Sequence, residues 1–166
     1  MVIWITGMSA SGKTTLAKAI CGKFVKKKFV LIDGDIIRDL FNNDLGYTEV
    51  DRCKQITRMQ NIALFLSRQN INVVVAALYS HPKLLKKNKS IFKNYFEIYL
   101  KANIDFLRKR EIKKIYSRAI NNKLKNVVGV DIKWNEPKKA DLIFDQHLNL
   151  PINDMLKVIK KKLIYD

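Results

Sequence analysis

Cysteine is nearly missing from this chain: its 166 residues include two, Cys21 and Cys53, with no CxxC partner or histidine cluster beside either. That excludes a disulfide framework and a thiolate zinc site, and leaves both as reduced, incidental thiols. Histidine is as scarce, and His81 and His147 read as surface or loop residues. With three prolines and six glycines, no low-complexity segment, internal repeat or interdomain linker stands out. No apolar run reaches the length of a membrane span, and the first apolar stretch lacks the basic flank and cleavage site of a signal peptide. A cytoplasmic enzyme with no membrane partner is the expectation. Acid is also in short supply. Asp and Glu number 15 against 32 Lys and Arg, a formal charge of +17.

Hydrophobic residues make up 48% of the chain, which excludes wholesale disorder. The length suits a single domain, residues 1–166, with a full core. The positive charge has two readings: a surface for nucleic acid, or a lysine-rich background that steers polyanionic small substrates. Lysines are spread from Lys26-Lys27-Lys28 to Lys160-Lys161-Lys162 with no basic arm, which favours the second.

The most informative stretch is Gly7-Met8-Ser9-Ala10-Ser11-Gly12-Lys13-Thr14-Thr15. It follows the apolar run Val2–Thr6 and precedes a helical pattern, the context a phosphate-binding G-x-x-x-x-G-K-[ST] loop requires. Gly7 and Gly12 would let consecutive N–H groups turn inward around phosphate oxygens. The helix from Lys13 adds its positive dipole end. Lys13 would reach the β- and γ-phosphates of ATP, and the Thr14 hydroxyl would ligate Mg²⁺.

Further on, Phe29–Ile32 reads as a buried strand ending in Asp33-Gly34-Asp35. Carboxylates at that edge face the crevice where α/β proteins bind ligands. Asp33 would hold a water of the Mg²⁺ shell, and Asp35 would accept the proton of an attacking hydroxyl. The plainer alternative is a capping turn, with Asp35 capping a helix from Ile36 and Gly34 permitting a sharp bend. Thr48 is the expected N-cap of a long helix to about Gln69, and Ile71–Ala77 an interior parallel strand. A basic helix to about Asn94, a strand Tyr95–Leu100, a helix capped by Asn103, a strand Asp141–Phe144 and an amphipathic helix Ile152–Tyr165 follow. This alternation predicts a three-layer α/β fold with a five-stranded, mostly parallel sheet and helices on both faces.

A switch GTPase would carry a guanine-reading N-K-x-D-type motif after a late strand, and none is present. A motor ATPase would end a later apolar strand in acid, but Ile71–Ala77 runs into Leu78-Tyr79-Ser80. Acids directly after the second strand suit small-metabolite and nucleotide kinases. A basic nucleic-acid-binding P-loop protein or polynucleotide kinase is the alternative of another class. It lacks a recognisable nucleic-acid motif or an aromatic stacking track.

The segments GMSASGKTTLA, LIDGDIIR, DLGY followed by Asp51-Arg52, LYS, FEIYL, REIKKIYSRA and VGVD, in that order from Met1 to about Asp145, resemble the adenylylsulfate kinases. That resemblance implies a P-loop kinase fold, MgATP, and phosphorylation of the ribose 3′-hydroxyl of adenosine 5′-phosphosulfate. It implies ATP contacts from Gly7, Ser9, Ala10, Ser11, Gly12, Lys13, Thr14, Thr15 and Arg110, and a mobile lid over about 110–137. Acceptor contacts would come from Arg38, Tyr47, Arg52, Gln55, Tyr79, Ser80, Lys113 and Val127. Many members of this family are dimers, so the resemblance admits a homodimer without fixing the oligomeric state. The departures lie on the acceptor side. An aromatic-clamp Phe of the family is Val127 here, an Asn is Gln55, and an arginine pair is Thr57-Arg58. A related acceptor therefore stands beside adenylylsulfate: cytidine diphosphoramidate, with a smaller base. Trp134 is a candidate to replace the missing aromatic.

Overall fold

Strand β1 (Val2–Thr6) is buried at every position because it runs between two other strands. Its alternating side chains feed both faces of one sheet. Trp4 joins the core on one side, while Ile3 and Ile5 join the core on the other. The structure, a computed structural model, describes residues 1–24, 27–111 and 114–165. The five strands β1, β2 (Phe29–Asp33), β3 (Asn72–Ala77), β4 (Tyr95–Lys101) and β5 (Leu142–Asp145) lie in the order β2-β3-β1-β4-β5, and every pairing is parallel. Their C-terminal ends therefore share one edge, and β1 opens there in the middle.

Helices α1 (Lys13–Lys23) and α7 (Ile152–Tyr165) cover one face, where Leu16, Ile20, Met155 and Ile159 pack on Ile3, Ile5 and Val74. On the other face α2 (Gly34–Leu40) and α3 (Glu49–Arg68) bring Ile37, Ile56, Met59 and Ala63 into one core with Trp4, Val73 and Val75, and α4 (Pro82–Ile91) adds the partly buried Leu84, Leu85 and Ile91. Both cores contain apolar strand residues buried from both sides, as parallel sheets require. A smaller cluster, Met8, Leu107, Tyr116 and Val127, joins α5 (Ile104–Arg110) and α6 (Ile115–Ile120) to the loop after β1.

A buried polar chain ties α3, α4 and β4 together. The Gln60 amide donates to Asn88 Oδ1 at 2.7 Å, Asn88 donates to the Tyr95 hydroxyl at 3.1 Å, and that hydroxyl donates to Glu97 at 3.0 Å. Burial pushes the Glu97 carboxyl above its ordinary range, and these partners offset part of the cost of placing it there.

Several expectations need correction. β2 is a half-buried strand with Val30 exposed, at the edge of the sheet formed by the described residues. Helix α2 begins at Gly34, and its cap is Asp33, whose side chain accepts from the Asp35 N–H at 3.0 Å. Asp35 is thus inside the first turn. Gly34 does not lie in the left-handed region, and a Cβ there would meet only the Ala76 carbonyl at 3.8 Å, so no sharp bend is made. Helix α4 stops at Ile91. The expected caps Thr48 and Asn103 accept from Asp51 N–H at 3.2 Å and Phe106 N–H at 2.8 Å.

Candidate active site

The loop from Gly7 to Gly12 joins the buried end of β1 to α1. A Cβ on Gly7 would lie 2.6 Å from Ser11 Oγ and 2.9 Å from the Leu100 carbonyl, so the close turn admits only glycine. Ala10 (φ 61) and Gly12 (φ 94) take left-handed conformations, which coil the intervening amides into a nest suited to an anion. Helix α1 starts without a side-chain cap and without an acidic residue in its first turn. Its leading N–H groups therefore remain for a ligand. Ser9, Ala10 and Gly12 are half-buried, Ser11 is buried, and Thr14 and Thr15 are exposed toward the crevice edge.

Two contacts pull the neighbouring charges into this loop. The Lys13 ammonium donates to the Met8 carbonyl at 2.7 Å. Burial lowers its pKa to about 8, a shift that the charges of Asp33 and Asp35 partly oppose. The Thr14 hydroxyl donates to Asp33 Oδ2 at 2.6 Å. Asp33 is buried, whereas Asp35, two residues beyond the end of β2, is exposed. Hydroxyl and carboxylate are thus adjacent at the place where a phosphate-bound Mg²⁺ would sit. No cluster of three acidic, His or Cys ligands exists among the described residues.

Helices α2 and α3 carry Arg38 and Arg52. Arg38 is 7% exposed and donates to the Leu45 carbonyl at 2.7 Å. Arg52 donates to the Asn126 carbonyl at 2.6 Å. The Tyr47 ring lies 4.4 Å from the Arg38 guanidinium and 5.5 Å from that of Arg52, and is 54% exposed. Neither arginine is within ion-pair distance of a carboxylate among the described residues. Burial and the charge of Arg38 lower the Arg52 pKa from its ordinary value. Arg52 Nε and the Ser80 hydroxyl are buried without a hydrogen-bond partner. Buried donors left unpaired in this way cost stability. An anion arriving at this place would relieve both the charge repulsion and the unpaired donors.

Other expected acceptor residues fall differently. Gln55 is 4% exposed, and its amide donates to the Gly34 carbonyl at 3.1 Å, so it braces α2 against α3. Val127 is 5% exposed and packs with Met8, Leu107 and Tyr116. Trp134 lies against Tyr99, donating to its hydroxyl at 3.3 Å. Arg58 pairs with Asp44 at 2.7 Å and covers Phe41. Arg110 sits at the end of α5 over the Phe106 ring at 5.3 Å, and His147 lies tilted against the same ring at 4.5 Å. Lys113 lies outside the described residues.

Some residues at the site had no role assigned from the sequence. Asp131 accepts from the Asn126 and Val127 N–H groups, both at 2.5 Å, and so shapes the turn whose carbonyl receives Arg52. Glu111 accepts from Tyr116 and Ser117 N–H, and the Tyr116 hydroxyl donates to the Ser9 carbonyl at 3.1 Å, docking α6 on the phosphate loop. Glu49, the first residue of α3, accepts a hydrogen bond from the Tyr79 phenol. Asp131 and Glu111 stand in segments that quoted motifs span, but their backbone bonds depend on turns that spacing does not reveal.

A family profile described as adenylylsulphate kinase matches residues 1–145. The chain is 32% identical over 164 residues to the cytidine diphosphoramidate kinase of Campylobacter jejuni, covering 98% of this chain and 95% of that protein. It is 34% identical over 176 residues to the adenylyl-sulfate kinase of Prochlorococcus marinus, covering 99% and 83%. Its backbone matches the Mycobacterium tuberculosis APS kinase CysC, solved in complex with AMPPNP and APS, with a TM-score of 0.88 at 24% identity, over 98% of this chain and 96% of that one. The phosphate loop, the parallel sheet and the matched length agree: this chain is a phosphotransferase with the P-loop kinase fold, and it belongs to the adenylylsulphate kinase family.

Proposed function

We propose that the chain transfers the γ-phosphoryl group of MgATP to the ribose 3′-hydroxyl of a nucleotide with a short, doubly anionic 5′ group. The pair Arg38, buried, and Arg52, half-buried, with no carboxylate partner among the described residues, carries this reading. Guanidinium forks match paired phosphoryl, sulfuryl or phosphoramidate oxygens better than ammonium groups do.

In this reading Gly7, Ser9, Ala10, Ser11, Gly12, Thr14 and Thr15 hold the triphosphate, and Lys13 leaves the Met8 carbonyl for its β- and γ-oxygens. Arg110 closes the nucleotide side. Thr14 and Asp33 would hold Mg²⁺, directly or through water; when bound, it neutralises charge on the β- and γ-oxygens. The acceptor oxygen forms a bond to the γ-phosphorus as the bond to the bridging oxygen breaks, and that electron pair leaves with ADP. The hydroxyl proton passes to the Asp35 carboxylate. Positioning and charge neutralisation account for most of the rate, as for phosphoryl transfer in general. The segment over about 110–137 acts as the lid that excludes water.

Tyr47 is the exposed aromatic beside the arginines, and Val127 turns its side chain into the core, which leaves one stacking face. A pyrimidine fits that arrangement, so the acceptor we favour is cytidine diphosphoramidate. Adenylylsulfate is the second reading, supported by the likeness to adenylyl-sulfate kinases. Turnover with MgATP of the two acceptors side by side tests the choice. A larger kcat/KM for the cytidine compound supports the first reading, a larger value for adenylylsulfate replaces it with the second, and turnover of neither refutes both.

A further inference from the structure

Glu49 and Tyr79 form a pair that neither the phosphate loop nor the arginines need. Tyr79 is 2% exposed, in the loop after β3, and its phenol donates to one carboxylate oxygen of Glu49. Burial and the Glu49 carboxylate raise its pKa, so the phenol stays protonated and its hydrogen is committed to Glu49. Glu49 itself is exposed, and among the described residues no side chain engages its other oxygen. Arg52 lies one turn along α3, close enough to Tyr47 and Tyr79 for both to affect its charge. The pair therefore borders the acceptor site.

Helix stability does not explain it. Asp51 already supplies acid to the first turn of α3 and engages the Thr48 cap. A Glu at this position needs no buried phenol to interact with the helix dipole. Nor does the pair suit the anionic end of the acceptor, which a carboxylate would repel. An ionised carboxylate whose partner's hydrogen is already used offers only acceptors. Such a group recognises an exocyclic amino group on a base edge and opposes a ring carbonyl in the same place.

Resting on the nucleotide-acceptor reading above, we propose that Glu49, held by Tyr79, reads the edge of the acceptor base. It selects a base with an exocyclic amino group, cytosine N4 or adenine N6, over its keto counterpart.

The test uses matched acceptor pairs that differ at that group: cytidine and uridine diphosphoramidate, and adenosine and inosine 5′-phosphosulfate. The pair that turns over identifies the base. Within it the wild type is expected to favour the amino member by at least roughly tenfold in kcat/KM, since the keto member leaves an acceptor facing an acceptor. Glu49→Gln keeps an oxygen for Tyr79 and adds a donor, so it is expected to raise the keto member and shrink the ratio below about threefold. Tyr79→Phe, which leaves the carboxylate unheld, should also shrink the ratio. Equal use of amino and keto members by the wild type overturns the inference alone. So does a Glu49→Gln loss that is equal for both members, the mark of a purely structural role. No turnover of any of the four overturns the acceptor reading itself, and this inference with it.

Discussion

The Thr14 hydroxyl and the Asp33 carboxylate meet at 2.6 Å, joining the first turn of α1 to the end of β2. The other Asp33 oxygen caps α2, so one side chain has two separable duties. Asp33→Asn keeps a good cap and removes the charge, while Asp33→Ala removes both. We expect both variants to lose roughly 100-fold or more in kcat, on the scale of a lost electrostatic contact to the transition state. The alanine variant alone should also lose about 1 kcal/mol of stability. Steady-state kinetics beside thermal melts would check this, and equal melting of the two variants would contradict the capping role.

Lys13 should make nucleotide binding proton-linked. Its pKa near 8 reflects burial in the ligand-free site, and a bound triphosphate would raise it again. Binding between about pH 8 and 9 should therefore take up protons. Calorimetry in buffers of different ionisation enthalpy measures the uptake, which Lys13→Met should abolish. For stability the sign follows from the same shift. The unfolded chain binds more protons at Lys13 between about pH 8 and the ordinary lysine range, so this residue's contribution improves as pH rises through that window. Below about pH 8 its destabilising effect is fully present.

Asp131 acts on the acceptor side through Asn126. Its carboxylate holds the Asn126 and Val127 N–H groups, and the Asn126 carbonyl receives Arg52. Asp131→Ala should raise the acceptor KM by roughly tenfold, about the value of one charge-assisted hydrogen bond, while the ATP KM stays near its wild-type value. A matching rise in both constants would show general loosening of the fold.

Val127→Phe restores the residue type expected from the family clamp, yet Val127 is packed among Leu107, Tyr116 and Met8. The larger ring should overpack this cluster and cost about 1–3 kcal/mol. Denaturant unfolding measures that cost. Full stability together with tighter binding of adenylylsulfate would show that the site accepts a second aromatic wall.

The phosphate loop, the alternation of strands and helices, and the caps Thr48 and Asn103 were legible because each depends on a few consecutive residues. Glycine spacing, β-branched runs and capping side chains act within a turn or two of chain. Asp33 was legible as a site residue but not as the cap of α2, since either aspartate satisfies the local pattern and only the backbone path out of β2 separates them. Gln55 and Val127 stand at motif positions, which say nothing of how deeply each lies. Their burial depends on where α2 and α5 come to rest.

The sequence alone determined the nucleotide-binding loop and the mostly parallel layering, because glycine at positions 7 and 12 permits the close and left-handed turns that the loop requires and βαβ connections close in few ways. Only the tertiary structure decided how the acceptor side is assembled. Arg52 meets a carbonyl 74 residues away, Tyr79 meets Glu49 across 30, and Tyr116 reaches Ser9 across 107. Such contacts arise from the packing of separate elements on a shared sheet edge, and no periodicity or spacing along the chain encodes them.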